Sequence, residues 1–252
     1  MLLRKGRFTA RVAATAQDVE GAQALRHRAF KGGEGQDRDD FDPLCEHVLV
    51  EAPGGELAAC FRLREHADAA AAQHGYTAQF YALEGLAALP GPMVEMGRFC
   101  IRPGAIDPDI LRLAWGALTR RVEAAGVQLL FGCASFAGAA PKLHRDALAL
   151  LRARHLGPAP LRPAPRASRI FPFARSLARV EPDPRRAVRG LPPLLRSYLA
   201  MGGWVSDHAV IDTELDTLHV FIGLEIAAIP ASRKRLLHNL AAPDLDAEPV
   251  GG

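Results

Sequence analysis

Cysteine is scarce in this chain: Cys45, Cys60, Cys100 and Cys133 are the four among 252 residues, and they are far apart. Their spacing excludes a CxxC redox or zinc motif and the dense disulfide framework of a small secreted domain, so reduced, packed thiols are expected. No run reaches the roughly 18 uninterrupted apolar residues of a membrane span. The opening Met1-Leu2-Leu3-Arg4-Lys5-Gly6-Arg7 lacks the apolar core of a signal peptide, which gives a cytoplasmic location as the expectation. No spacing matches a metal site, and no redox cofactor is implied. Ser135, His144 and Asp146 fit no nucleophile motif, and no nucleic-acid-binding module is recognisable.

The formal charge is small, +3, but it is unevenly placed. From Lys142 to Arg189 there are eleven Arg and one Lys against Asp146, Glu181 and Asp183, a local +9 that leaves the remainder at −6. A basic lobe of this kind suits a polyanionic partner, such as an acidic protein or an anionic membrane surface. Ile170-Phe171-Pro172-Phe173 lies within it, and Trp204 after Gly202-Gly203 is a further candidate for a membrane interface.

With 49% hydrophobic residues the chain can bury a full core. One domain over residues 1–226 is expected, including the basic, proline-containing segment at about 142–190, followed by a C-terminal helix and a frayed tail over 227–252. Phe8 to Ala13 reads as a strand. Asp18 to Phe30 reads as a helix with Val19, Ala22, Ala24, Leu25 and Ala29 near one stripe. Lys31 to Asp40 reads as a polar surface loop. His47 to Ala52 and Leu57 to Arg64, split by Pro53-Gly54-Gly55, form a predicted hairpin. Met93 to Ile101 extends the sheet, and Asp107-Pro108 opens a helix to Ala125, with Ile110, Leu113, Ala114, Ala117, Leu118 and Val122 inward and Arg112, Arg120, Arg121 and Glu123 opposite. Val127 to Ser135 completes a strand–helix–strand crossover with its ligand crevice at the strands' carboxyl ends. Helices follow at Lys142 to His155 and Pro192 to Ala200, and strands at His208 to Asp212 and Leu218 to Ile226, the last closing the sheet.

The most informative segment is Met93-Val94-Glu95-Met96-Gly97-Arg98-Phe99-Cys100-Ile101, which puts two charges inside an apolar strand. Residues three apart point to opposite faces of a regular strand. A bulge at Gly97 would turn Glu95 and Arg98 toward one side and mark a functional strand end. A structural ion pair is the alternative.

Four ordered blocks, Arg26-His27-Arg28-Ala29-Phe30, Asp39-Asp40-Phe41-Asp42, Phe61-Arg62-Leu63 and Glu95-Met96-Gly97-Arg98-Phe99, resemble those of acyl-homoserine-lactone synthases and their relatives in the GCN5-related N-acetyltransferase superfamily. Within that group, Leu130 to Phe136 and Leu191 to Gly202 resemble L-ornithine N-alpha-acyltransferases. The resemblance implies an α/β fold with a mixed central sheet flanked by helices. It also implies transfer of a 3-hydroxyacyl group from acyl carrier protein to the alpha-amine of ornithine, giving lyso-ornithine lipid. The turn Arg102-Pro103-Gly104-Ala105-Ile106-Asp107 lacks the glycine-rich pyrophosphate loop of ordinary acetyltransferases, and Asp107 and Asp109 would repel a pyrophosphate, which favours a carrier-tethered donor over coenzyme A.

Acyl transfer from a thioester to an amine requires a neutral amine, a positioned carbonyl and stabilisation of the developing oxyanion. Ornithine brings a carboxylate and two amines, so its site needs both signs of charge. Arg26, Arg62 or Arg98 is expected to pair the carboxylate, and Asp39, Asp42 or Glu95 to hold an ammonium; Phe30 completes the first block. Glu95 is the candidate base, directly or through water, with Arg98 as its catalytic companion. Alternatively, Asp39, Asp42, Arg62, Glu95 and Arg98 form a structural ion network. A backbone N–H near Gly97 to Cys100 is the expected oxyanion donor. Phe99, Cys100, Ile101, Phe131 and Phe136 are the expected acyl and phosphopantetheine contacts. Two other readings stand beside this one: homoserine-lactone synthesis from S-adenosylmethionine, and a noncatalytic acyl-carrier or membrane-binding protein.

Overall fold

A computed structural model describes residues 1–105 and 107–242. Strands β1 (Leu3–Lys5) and β2 (Phe8–Val12) lead into helix α1 (Ala16–Phe30), then strands β3 (Glu46–Glu51) and β4 (Leu57–His66). A short helix α2 (Ala69–Ala72) and strand β5 (Tyr81–Ala82) precede β6 (Met93–Ile101), α3 (Pro108–Ala124) and β7 (Leu129–Ala137). Next come α4 (Arg145–Arg154), β8 (Ala164–Pro165), β9 (Ile170–Phe171), α5 (Phe173–Ser176), α6 (Pro184–Gly190) and α7 (Pro193–Ala200). The chain continues through β10 (Trp204–Asp212), β11 (Thr217–Glu225) and α8 (Ala231–Ala241). The tail from Pro243, expected to fray, lies outside the described residues, as does Ile106 of the turn before α3.

These elements fall into two compact units. The first comprises Met1–Arg64, Met96–Gly126 and helix α8. Its strands β1, β2, β3 and β4 pair antiparallel in that order, and β6 follows β4. Helix α3 forms as its sequence directs: the Asp107 side chain accepts the Asp109 N–H, Pro108 occupies the first turn, and Ile110, Leu113, Ala117 and Val122 are buried. This helix packs on β1, β2, β3 and α8. Gly116 permits the approach, because a Cβ there would stand 2.5 Å from the Leu240 carbonyl oxygen and 2.6 Å from Leu3 Cδ2. The arginines assigned to the solvent face of α3 are put to use instead. Arg120 donates to the carbonyls of Leu2 and Ala241 and fastens both ends of the unit to α3, and Arg121 donates to Glu46 of β3 at 2.7 Å.

The second unit comprises Glu65–Glu95 and Val127–Pro230. Strands β7, β11, β10 and β9 pair antiparallel in that order, and β5 and β8 form a separate two-stranded ladder. The expectation that Leu218 to Ile226 closes the sheet is corrected: β11 is paired on both sides, and the short β9 is the outer strand. An apolar run with few charges fits that doubly paired position. Ile170-Phe171-Pro172-Phe173 is corrected as well. Ile170 packs on the apolar core and Phe173 is fully buried, so this segment is spent on folding rather than held out to a membrane.

Candidate active site

The first charged cluster lies in the first unit and begins on α1. Thr15 caps this helix in a reciprocal capping box with Asp18. Its buried face keeps Ala22 and Leu25 of the expected stripe and adds Gln23 and Arg26. A long guanidinium buried on a helix needs carboxylates around it, and the loop after α1 supplies them. Arg26 Nε donates to Asp37 Oδ2 at 2.9 Å and its Nη1 to Asp42 Oδ1 at 2.7 Å. Gln23 Nε2 donates to Asp42 Oδ2 at 2.9 Å. From β4, Arg62 Nη1 reaches Asp39 Oδ1 at 2.5 Å and Asp42 Oδ1 at 2.6 Å. From β6, Arg98 Nε lies 3.0 Å from Asp37 Oδ2 and Nη2 lies 3.2 Å from Asp39 Oδ2.

Three arginines and three aspartates thus offset one another. Burial works to raise the Asp39 carboxyl, but hydrogen bonding and charge from Arg62, with Arg98 behind it, hold it below the ordinary carboxylate range. Asp42 is likewise pushed up by burial and held well down by Arg26 and Arg62. Arg26, Asp39, Asp42, Arg62 and Arg98 are therefore brought together as anticipated, whereas Phe30, at the end of α1, is 36% exposed. Asp37, in what reads as a surface loop, is the member that sequence reasoning missed. The network has an open edge. The side chains of Asp39 and Arg98 keep 19% and 13% of their surface, against 5% or less for Arg26, Asp37, Asp42 and Arg62.

The irregularity expected at Gly97 falls one residue later. Arg98 has φ +53°, while Gly97 lies outside the left-handed region. A side-chain-bearing residue held there costs about 1–3 kcal/mol, and the two carboxylates gripping Arg98 help to hold it. Beyond it, Phe99 pairs with Phe61 at 5.9 Å, and Cys100 Sγ lies 3.6 Å from Cys60 Sγ in the small core beneath α1. Ile101 is half-buried.

The second cluster lies in the second unit, around Glu95. Its carboxylate accepts the Thr77 N–H at 2.5 Å on Oε1 and the Tyr76 N–H at 3.1 Å on Oε2. His66 Nε2 lies 3.5 Å from Oε2, with both side chains buried. Burial works to raise the Glu95 carboxyl, but His66 and Thr77 outweigh it and keep the group below the ordinary glutamate range. Gly75 makes the close approach possible, since a Cβ there would stand 2.5 Å from Oε2. The His66 ring lies 5.9 Å from that of Phe131, which stacks on Phe221 at 6.0 Å. Phe136, five residues further along β7, faces the opposite side and meets His144 at 5.0 Å. Phe131 and Phe136 therefore do not line one face of β7 together. His66 and Thr77 are further residues that sequence reasoning missed; the predicted strand stopped at Arg64.

In the basic segment several arginines serve the fold. Arg152 donates to the Ala178 carbonyl, Arg166 to the Ala78 carbonyl and Glu84, and Arg169 to Thr213. Arg145, Arg154, Arg175, Arg179, Arg185, Arg186 and Arg189 are exposed on and around α4, α5 and α6. At the start of α3 the Asp107 carboxylate already occupies the helix N-terminus and pairs with Arg7 at 2.8 Å. No helix among the described residues is long and apolar enough to cross a membrane.

Comparison with known proteins gives the following matches. The acetyltransferase (GNAT) domain family matches residues 22–116. The L-ornithine N(alpha)-acyltransferase of Rhodobacter capsulatus is 31% identical over 239 residues, covering 88% of this chain and 91% of its own. That of Rhizobium meliloti is 29% identical over 255 residues, covering 91% and 83%. Among solved structures, FeeM, an N-acyl amino acid synthase from uncultured soil microbes, matches over 88% of this chain and 92% of its own, at 11% identity and a TM-score of 0.46.

Proposed function

The chain belongs to the L-ornithine N(alpha)-acyltransferase family, and on that premise we propose that it moves a 3-hydroxyacyl group from acyl carrier protein to the alpha-amine of L-ornithine, forming lyso-ornithine lipid. It is an N-acyltransferase with a GNAT-type α/β fold. In this reading no cofactor is needed beyond the phosphopantetheine arm that carries the acyl group. The carboxylate at the α3 N-terminus supports a carrier-tethered donor, because it already takes the Asp109 amide and would repel a pyrophosphate there.

The observation that carries the assignment of roles is that β6 brings one charge to each unit's cluster, Glu95 to the second and Arg98 to the first. Glu95 is an ionised, buried carboxylate, and Arg98, three residues on, is a guanidinium at the open edge of a neutralised network. Arg98 serves the alpha-carboxylate of ornithine by planar, paired hydrogen bonding, and Asp39 serves an ammonium. Arg26, Asp37, Asp42 and Arg62 hold those two in place. Glu95 serves the attacking alpha-amine indirectly, through a group that its carboxylate orients. The turned backbone at Arg98 is the source of the oxyanion donor, and Phe131 contributes to the apolar wall for the acyl chain. The exposed arginines of α4 to α6 serve the acidic carrier protein, and the enzyme works in the cytoplasm or against the inner face of an anionic membrane.

The test is product mass spectrometry with 3-hydroxyacyl carrier protein and ornithine, lysine, glutamine or S-adenosylmethionine offered separately. N-acylornithine is the expected product. A homoserine lactone, or carrier-protein binding with no product from any acceptor, would contradict the reading.

A further inference from the structure

We propose that His66 is the proton acceptor of the acyl transfer and that Glu95 is the positioning residue that fixes its tautomer; this deepens the reading above and rests on it. The geometry first limits what Glu95 can do alone. Each of its oxygens already accepts a backbone N–H, from Thr77 on one side and Tyr76 on the other. A proton arriving on this carboxylate would displace bonds that favour the charged form, so Glu95 holds charge well and takes up a proton poorly. Imidazole is the side chain whose ordinary titration range suits proton transfer near neutral pH.

His66 has the orientation this role requires. Its Nε2 is enclosed and faces Glu95 Oε2 at 3.5 Å, an ion-pair separation too loosely aligned for a hydrogen bond, as is common before substrate closes a site. A nitrogen lone pair facing an ionised carboxylate would be repelled, so Nε2 carries the hydrogen, and Nδ1 is the nitrogen left to accept a proton. Among the described residues Nδ1 has no hydrogen-bond partner. The ring is bounded by Glu95 from β6 and by Phe131 from β7, and Glu95 is the one carboxylate within ion-pair reach of it among the described residues.

The step balances within the reactants. The amine nitrogen bonds to the thioester carbonyl carbon, and one of its protons passes to Nδ1. As the C–S bond breaks, that proton passes from Nδ1 to the departing thiolate, leaving an amide and a free thiol.

The test uses the full-length enzyme and two readouts. Long-range proton–nitrogen NMR near neutral pH is expected to show the His66 Nε2–H tautomer in the wild type and a tautomer mixture in Glu95→Gln. Steady-state thiol release is expected to show His66→Gln losing about 10²–10⁴-fold in kcat, with KM for the amine little changed and the acidic limb of kcat/KM abolished. An Nδ1–H tautomer in the wild type, or a His66→Gln enzyme within threefold of wild type with its acidic limb intact, would overturn the proposal. The wild-type tautomer is decisive even if His66→Gln fails to fold. Acylation of a different amine would overturn the ornithine assignment alone, because both readouts then apply to whichever amine is accepted.

Discussion

Replacing Asp42 by asparagine removes one negative charge shared by Arg26 and Arg62, and turns one of two accepting oxygens into a donor facing them. The side chains concerned keep only 1%, 3% and 5% of their surface, so water cannot take over the lost role. Breaking a buried ion pair by removing one partner costs about 3–5 kcal/mol. For a chain of this size that corresponds to a Tm lower by roughly 6–20 °C. The control is Glu20→Gln, which removes an exposed partner of Arg38 at 3.7 Å and should cost no more than about 1 kcal/mol. Thermal melts followed by circular dichroism at pH 7 measure both. The Asp42 carboxyl is depressed in the folded state, by Arg26 and Arg62 against the effect of burial. Its stabilisation is therefore fully present above the unfolded value of about 3.9 and is lost as pH falls below it. Asp42→Asn should accordingly flatten the acid side of the stability curve. A variant melting within 2 °C of wild type would refute the reasoning about this network.

Arg98→Lys keeps the charge but loses the planar fork, so the KM for ornithine should rise roughly 10–100-fold, the equivalent of one charge-assisted hydrogen bond; a lowered Tm with unchanged KM would make Arg98 purely structural. Gly75→Ala pushes a methyl group into Glu95 Oε2 and should lower kcat by about 10²-fold while the circular dichroism spectrum is retained, and an unchanged kcat would show that Glu95 has freedom to move. Burial pushes the His219 imidazole down to about 4, so its contribution to stability is present above the ordinary value of about 6.5 and declines as pH falls toward 4; His219→Gln should remove that decline from a series of melts, and an unaltered pH dependence would count against it.

Local signals carried much of the fold. The Asp107-Pro108 cap and the stripe from Ile110 to Val122 announce α3, and Met93 to Ile101 is a strand over its full predicted length. These features depend on neighbours in sequence. Asp37 and His66 were hidden for the opposite reason: each looks like an ordinary polar residue beside a turn, and only the folding of a loop onto α1 or of β6 beside the turn at Tyr76 gives it a partner. Arg98 was visible as a charge in an apolar strand, yet the strand's irregularity was expected at Gly97, because glycine inside a strand often marks a bulge. Phe131 and Phe136 were grouped by composition, and the alternation of β7 separates them.

The most direct test of the account is a single-turnover comparison of wild type and Glu95→Gln with 3-hydroxyacyl carrier protein and ornithine, following N-acylornithine by mass spectrometry and the fold by circular dichroism. The account predicts a folded variant that forms product at least about 10²-fold more slowly. A folded variant with the wild-type rate would contradict the role of the charged strand in the reaction.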